Sequence, residues 1–254
     1  MRFSRLLSLL LGRPGLRAMP ESPASGAKPT IVIVHGAWGG NWAFRRLERL
    51  LREKGFDVYR PSLTGLGERV HLGTPDVGLS THVEDVCNAI IFEELRDIVL
   101  VGHSYGGMVI SGVADRMPER IRKLVYLDAF VPEDGDSVID ILGSRTQWAL
   151  DMVKDGFLVP PWLDGRPWPC DVPQPLKTFI EPLTLSGALK ALPATYLLML
   201  EAGKTAENAD FAPFVERARR RGWKVMTMAG DHNPQNSASQ MLADILSDEA
   251  ARPS

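Results

Sequence analysis

The residues of this chain best suited to covalent chemistry stand in the run Gly102-His103-Ser104-Tyr105-Gly106-Gly107. A serine hydroxyl is a weak nucleophile alone; it needs a backbone that projects it and a base that takes its proton. Glycine two places before and two places after Ser104 removes the β-carbons that would collide where a strand turns abruptly into a helix. The N–H of Tyr105 would then open that helix, where the positive end of the backbone dipole favours a developing oxyanion. The partner donor is expected in the loop His35-Gly36-Ala37: Gly36 allows close approach, and the Ala37 N–H pairs with that of Tyr105.

Five histidines are available as base. His103 adjoins Ser104 in sequence, but its ring is directed away from the nucleophile. His35 closes the first strand and supports its loop. His71 and His82 fall in a polar loop and at a helix start, where a solvated or substrate-adjacent role is expected. His232 follows the last strand in Met228-Ala229-Gly230-Asp231-His232, at the carboxyl edge of the sheet where catalytic groups gather in open α/β folds. The chain order serine, acid, histidine also fits. Two carboxylates compete for the acid. Asp128 ends a strand facing the same edge and is preferred; Glu201, first after the strand at 194–200, is the alternative. Such a carboxylate fixes the imidazole tautomer and stabilises the imidazolium. Trp38, His103, Trp148 and Trp162 are the candidate pocket residues, and Trp42 is wall or core.

These groups need a scaffold. Residues 30–34 read as a strand, and Phe44, Leu47, Leu50 and Leu51 follow at helical spacing until Gly55. Residues 56–59 read as a strand and 62–78 as a polar loop. Thr81 and Glu84 form a capping box ahead of the apolar face Val83, Val86, Ile90 and Ile91. Residues 98–101 are wholly apolar, as in a strand buried on both faces. The helix after Ser104 and a strand at 123–127 follow. Residues 129–193 break this alternation with prolines and tryptophans and read as a cap or lid. Strand 194–200, helix 211–221 and strand 223–228 resume it, and Ser237 with Gln240 caps the last helix. The sum is an open, mainly parallel sheet with helices on both faces, residues 30–128 and 194–254 forming the core.

With 29 Lys and Arg against 31 Asp and Glu, a net charge of −2 gives no reason to expect nucleic acid or an anionic membrane as partner. Cys87 and Cys170 lack metal-ligand spacing and imply no disulfide framework, which fits a reducing, cytoplasmic compartment. The apolar run at 6–11 resembles a secretory signal, but Gly12-Arg13-Pro14-Gly15 interrupts it; residues 1–29 are read as a flexible lead-in, with secretion the less favoured alternative.

The runs Val34-His35-Gly36-Ala37-Trp38, Val101-Gly102-His103-Ser104-Tyr105-Gly106-Gly107-Met108 and Gly230-Asp231-His232 resemble an α/β-hydrolase. More narrowly, the sequence is similar to the branch of plant methyl esterases and hydroxynitrile lyases with related bacterial carboxylesterases. The likeness spans most of residues 30–248 and is thin at 129–193. It implies the α/β-hydrolase fold with a short cap, cofactor-free chemistry by Ser, His and an acid, and an oxyanion hole at Ala37 and Tyr105. Two departures stand out: the family acid follows the strand at 194–200, where this chain has no Asp, and the cap is shorter than in the plant enzymes. Lyases of the branch resemble each other in a Lys after the catalytic His and a Thr after the first-strand His. Asn233 and Gly36 are the esterase-like choices.

The expectation is therefore a serine hydrolase that cleaves a small or medium apolar carboxylic ester through an acyl-enzyme. It would use neither metal nor cofactor, and a homodimer is left open. A hydroxynitrile lyase-type enzyme and a non-catalytic receptor on the same fold are the alternatives.

Overall fold

The computed structural model describes residues 28–163 and 165–252. The signal-like run at 6–11 lies outside them, as does the lead-in up to residue 27. In chain order the core is β1 (Thr30–Val34), α1 (Arg45–Glu53), β2 (Val58–Tyr59), α2 (Leu79–Phe92), β3 (Ile98–His103), α3 (Gly106–Arg116) and β4 (Ile121–Leu127). The segment between β4 and the next core strand holds short pieces: α4 (Val138–Ile141), α5 (Thr146–Leu150), β5 (Val153–Lys154), β6 (Phe157–Leu158), β7 (Gln174–Pro175) and α6 (Lys177–Ile180). Then come β8 (Ala194–Leu200), α7 (Ala212–Arg220), β9 (Lys224–Ala229), α8 (Pro234–Ser237) and α9 (Ser239–Ala251).

Six strands form one parallel sheet in the order β2-β1-β3-β4-β8-β9, and β5-β6-β7 make a small antiparallel sheet of their own. The apolar runs alternate as a pleated strand must. Ile31 and Ile33 face Leu47 and Leu51 of α1 and Leu242 and Leu246 of α9. Val32 and Val34 face the opposite layer, with Val83 and Val86 of α2 and Met108 and Val109 of α3. Helices cover both faces, so β1 and β3 are apolar along almost their whole length. The order reverses between β1 and β3, and Val34 pairs with Gly102. The loop after β1 and the turn after β3 thus emerge side by side at the carboxyl edge, where such sheets open a crevice.

Several local expectations shift. Helix α2 starts at Leu79 with Gly78 as N-cap, and the Thr81 hydroxyl accepts from the Gly78 N–H instead of capping the helix itself. A distant residue displaces the expected box: Glu181, just after α6, accepts from the Ser80 N–H at 2.9 Å and the Ser80 hydroxyl at 2.8 Å. Ser237 lies in α8 and donates to Asp231 Oδ1 at 3.0 Å, so α9 opens without the expected cap. Phe56 donates its N–H to Leu51 at the end of α1, which shortens β2. Residues 67–72 of the polar loop coil into a 3₁₀ turn. Among the described residues no helix is long and apolar enough to cross a membrane.

One buried ion cluster ties α9 to the sheet. Glu249, 1% exposed, accepts from Lys123 Nζ and from the Thr195 hydroxyl, each at 2.7 Å, and from Lys224 Nζ. Burial alone would raise its carboxyl, but hydrogen bonds from Lys123, Lys224 and Thr195 outweigh it and hold the group at about 2. A depressed carboxyl stabilises the fold above its unfolded value of 4.5, and that contribution fades as pH falls from there towards about 2. Glu249→Gln, which strands a buried ammonium, is therefore expected to cost about 3 kcal/mol in urea unfolding at pH 7. The gap to wild type should shrink steadily below pH 4.5. A gap that stays constant with pH would contradict this assignment.

Candidate active site

Ser104 sits in the turn between β3 and α3 with φ +53°, a left-handed conformation that a non-glycine residue adopts only when its surroundings impose it. The surroundings are backbone on backbone. A β-carbon on Gly106 would lie 2.6 Å from the Val34 carbonyl oxygen, and one on Gly107 would lie 2.1 Å from that of Phe130. Ser104 donates its N–H to Leu127 and accepts at its carbonyl from Gly107 and Phe130, so three chain segments hold the turn.

Asp128 follows β4, also at positive φ (+42°), and is 5% exposed. Its N–H donates to Leu197, Oδ1 accepts from the Met199 N–H at 3.1 Å, and Oδ2 accepts from His232 Nδ1 at 2.6 Å. With the Nδ1 proton committed, His232 has Nε2 left for proton transfer. The His232 ring stacks on Phe211 at 4.9 Å and 10°, and its carbonyl accepts from His103 Nε2 at 2.7 Å. Burial and the nearby His232 hold His103 down at about 3, so it serves as a neutral prop on the cavity wall. Glu201 lines the same cavity, but its side chain is 47% exposed and pairs with Lys204 at 3.3 Å. Of the two candidate carboxylates, the structure brings only Asp128 to His232.

On the other flank, Gly36 lies so close to Ser104 that a β-carbon there would come 3.0 Å from that of the serine. His35 Nδ1 donates to the Gly36 carbonyl at 2.8 Å and its Nε2 accepts from the Leu63 N–H. Burial holds this ring at about 4. The Gly36 carbonyl and the Ala37 N–H belong to one trans peptide, so His35 sets the direction of that N–H. Among the described residues neither the Ala37 nor the Tyr105 N–H has an acceptor within the protein. The Tyr105 side chain is buried, leaving only its N–H to serve the site.

His82 is neither solvated nor beside the cavity: it is 0% exposed, and burial holds it at about 4. Its Nε2 donates to the Thr64 carbonyl at 2.9 Å, so its Nδ1 accepts from the Tyr105 hydroxyl, also at 2.9 Å. His82 stands on the buried face of α2. His71 lies exposed in the 3₁₀ turn.

Ser104, Asp128, His232 and Ala37 line one cavity of about 730 Å³. Trp38, Trp42, Trp148 and Trp162 line it too, with Trp38 meeting Trp162 edge-on at 5.5 Å and Trp148 at 6.1 Å. Trp162 Nε1 donates to Asp171 at 3.0 Å. Sequence reasoning missed Phe179, which packs on both Trp38 and Tyr105, and Phe211, which orients His232. In one dimension Phe211 looks like an ordinary apolar residue at a helix start, and Phe179 falls in the stretch where no alternation is legible. Among the described residues no group of three or more His, Cys, Asp or Glu comes together as a metal site.

The comparisons agree with this architecture. Residues 31–245 match the model of the alpha/beta hydrolase family. A carbendazim hydrolyzing esterase of Nocardioides sp. is 39% identical over 240 residues, covering 85% of this chain and 97% of that protein. Methylesterase 1 of Arabidopsis thaliana is 30% identical over 123 residues, 46% of this chain and 47% of its own length. Among solved structures, an extracellular alpha/beta-hydrolase from a Paenibacillus species superposes with a TM-score of 0.76 at 22% identity, covering 88% of this chain and all (100%) of its own. Tomato methylketone synthase I gives 0.71 at 19%, covering 91% and 99%, and shares the fold. The chain belongs to the alpha/beta hydrolase family.

Proposed function

We propose that this ester hydrolase works through a serine nucleophile, with Ser104, His232 and Asp128 as its triad and the Ala37 and Tyr105 N–H groups as its oxyanion hole. The observation that carries the reading is the 2.6 Å bond from His232 Nδ1 to Asp128, in the wall of the cavity that Ser104 also lines. His232 Nε2 takes the Ser104 proton as Oγ attacks the ester carbonyl, and the two N–H groups receive the charge on its oxygen. His232 then hands the proton to the departing alcohol. Water, activated by the same imidazole, cleaves the acyl-enzyme and frees Ser104.

The substrate is a small or medium apolar ester whose flat portion lies against Trp38, Trp148 and Trp162. The relative named as a carbendazim hydrolyzing esterase supports carbendazim as one such substrate. Asn233 after the base and Gly36 after His35 support hydrolysis over carbon–carbon lysis. Both cysteines are free, which supports a cytoplasmic setting.

Ser104→Ala is expected to lower kcat about a million-fold while the protein keeps its fold, and to abolish labelling by a fluorophosphonate. Substantial residual turnover, or labelling that persists, would sink the nucleophile. Asp128→Asn should lower kcat about ten-thousand-fold by releasing the tautomer, whereas Glu201→Gln should stay within about two-fold because its ion pair is exposed. The reverse ranking would move the acid to Glu201. Carbendazim should be turned over alongside short aromatic methyl esters; an ester panel in which only long aliphatic chains react would overturn the substrate class.

A further inference from the structure

Trp38 has a backbone conformation that its side chain disfavours, φ +59°. A bulky residue stays there only when other groups over-determine it, and here the restraint comes from far along the chain. The Trp38 N–H donates to Gln174 Oε1 at 2.8 Å, and the Trp38 carbonyl accepts from the Val172 N–H at 2.8 Å. Both polar groups of this one peptide residue are thus held by the strand segment that carries β7. Gln174 itself has no freedom to wander: it is 0% exposed, and its Nε2 donates to the Thr178 hydroxyl at 2.7 Å. Thr178 in turn donates to the Pro175 carbonyl.

We infer that Gln174 is a positioning residue for the oxyanion hole, fixing the Ala37 N–H through the backbone of Trp38. The geometry is that of two consecutive peptides. His35 holds the Gly36–Ala37 peptide by its carbonyl, and Gln174 holds the Ala37–Trp38 peptide by its N–H. Ala37 lies between two planes that cannot both turn, so its N–H keeps one direction. A preorganised donor gains its worth from being aimed before charge develops, and a donor left free to rotate loses most of it. The segment at 129–193 therefore does more than wall the cavity. It supplies the restraint that keeps half of the oxyanion hole assembled, which links any displacement of that segment to loss of turnover.

This inference rests on the serine mechanism proposed above. Its test compares wild type with Gln174→Met, which fills the same space but cannot accept the Trp38 N–H, and with Gln174→Glu, which keeps an acceptor oxygen. Melting curves establish that each variant is folded. Readouts are kcat and KM for a short aromatic methyl ester and the affinity for phenylboronic acid, which mimics the tetrahedral intermediate on Ser104. Gln174→Met is expected to lose about 10- to 100-fold in kcat with KM within about two-fold, as expected when one donor is misaimed. Its affinity for phenylboronic acid should fall by the same factor as kcat/KM, and Gln174→Glu should recover most of both. Unchanged kcat in folded Gln174→Met, a loss carried by KM with boronate affinity intact, or a Glu variant no better than Met would each overturn the inference. Should Gln174→Met not fold, hydrogen exchange at the wild-type Trp38 amide decides: strong protection supports the clamp, and exchange at the rate of an open loop refutes it. Boron NMR separates the two claims. Wild type that forms no tetrahedral adduct at Ser104 would defeat the serine mechanism, whereas a normal adduct beside an unaffected Gln174→Met would defeat only the clamp.

Discussion

Asp128 has both carboxylate oxygens committed, one to the Met199 N–H and the other to His232 Nδ1. That double commitment is possible only because β4 and β8 are neighbours in the sheet, which brings the end of one strand against the backbone of the next. Its left-handed φ turns the side chain along the sheet edge towards the loop after β9, and the N–H to Leu197 locks the turn. A carboxylate so held cannot follow a moving partner; the partner must come to it. The loop after β9 does so, braced by Phe211 against the ring and by His103 on the His232 carbonyl. The arrangement is thus built from the strand ends outward, and the loops are tied to it one hydrogen bond at a time.

The same principle runs through the opposite flank. Three buried histidines, His35, His82 and His103, have both burial and fixed tautomers, and each spends its hydrogen bonds on backbone or on a neighbouring side chain. Desolvation is the first cause of their lowered values, which keeps all three neutral near neutral pH. Neutral imidazole offers one donor and one acceptor in a rigid plane, and here that plane is used as a strut. Among the described residues, His232 is the histidine that is both part exposed and paired with a carboxylate.

Much of this was legible in one dimension because it depends on local chemistry. Short β-branched runs such as residues 98–101 suit strands buried on both faces, and the glycines about Ser104 suit a turn of close backbone approach. The position of His232 after the last strand followed from the alternation of elements alone. What could not be read depends on pairs far apart. Nothing near Ser80 reveals that Glu181 caps α2, and nothing near Trp38 reveals Gln174, 136 residues away. His82, at a helix start, looks solvated or substrate-adjacent until the fold closes Tyr105 and Thr64 around it. The choice between Asp128 and Glu201 needed the sheet order, since both stand after strands that end at the same edge.

In a serine mechanism the hydroxyl lifted by the turn after β3 becomes covalently joined to the acyl half of an ester. Rapid-quench mass spectrometry of the intact protein during turnover of a short aromatic methyl ester tests it most directly. The expected result is a transient mass gain equal to the acyl group, mapped by peptide sequencing to Ser104 and decaying as acid is released. Steady ester cleavage with no such adduct, or an adduct on any other residue, would contradict it.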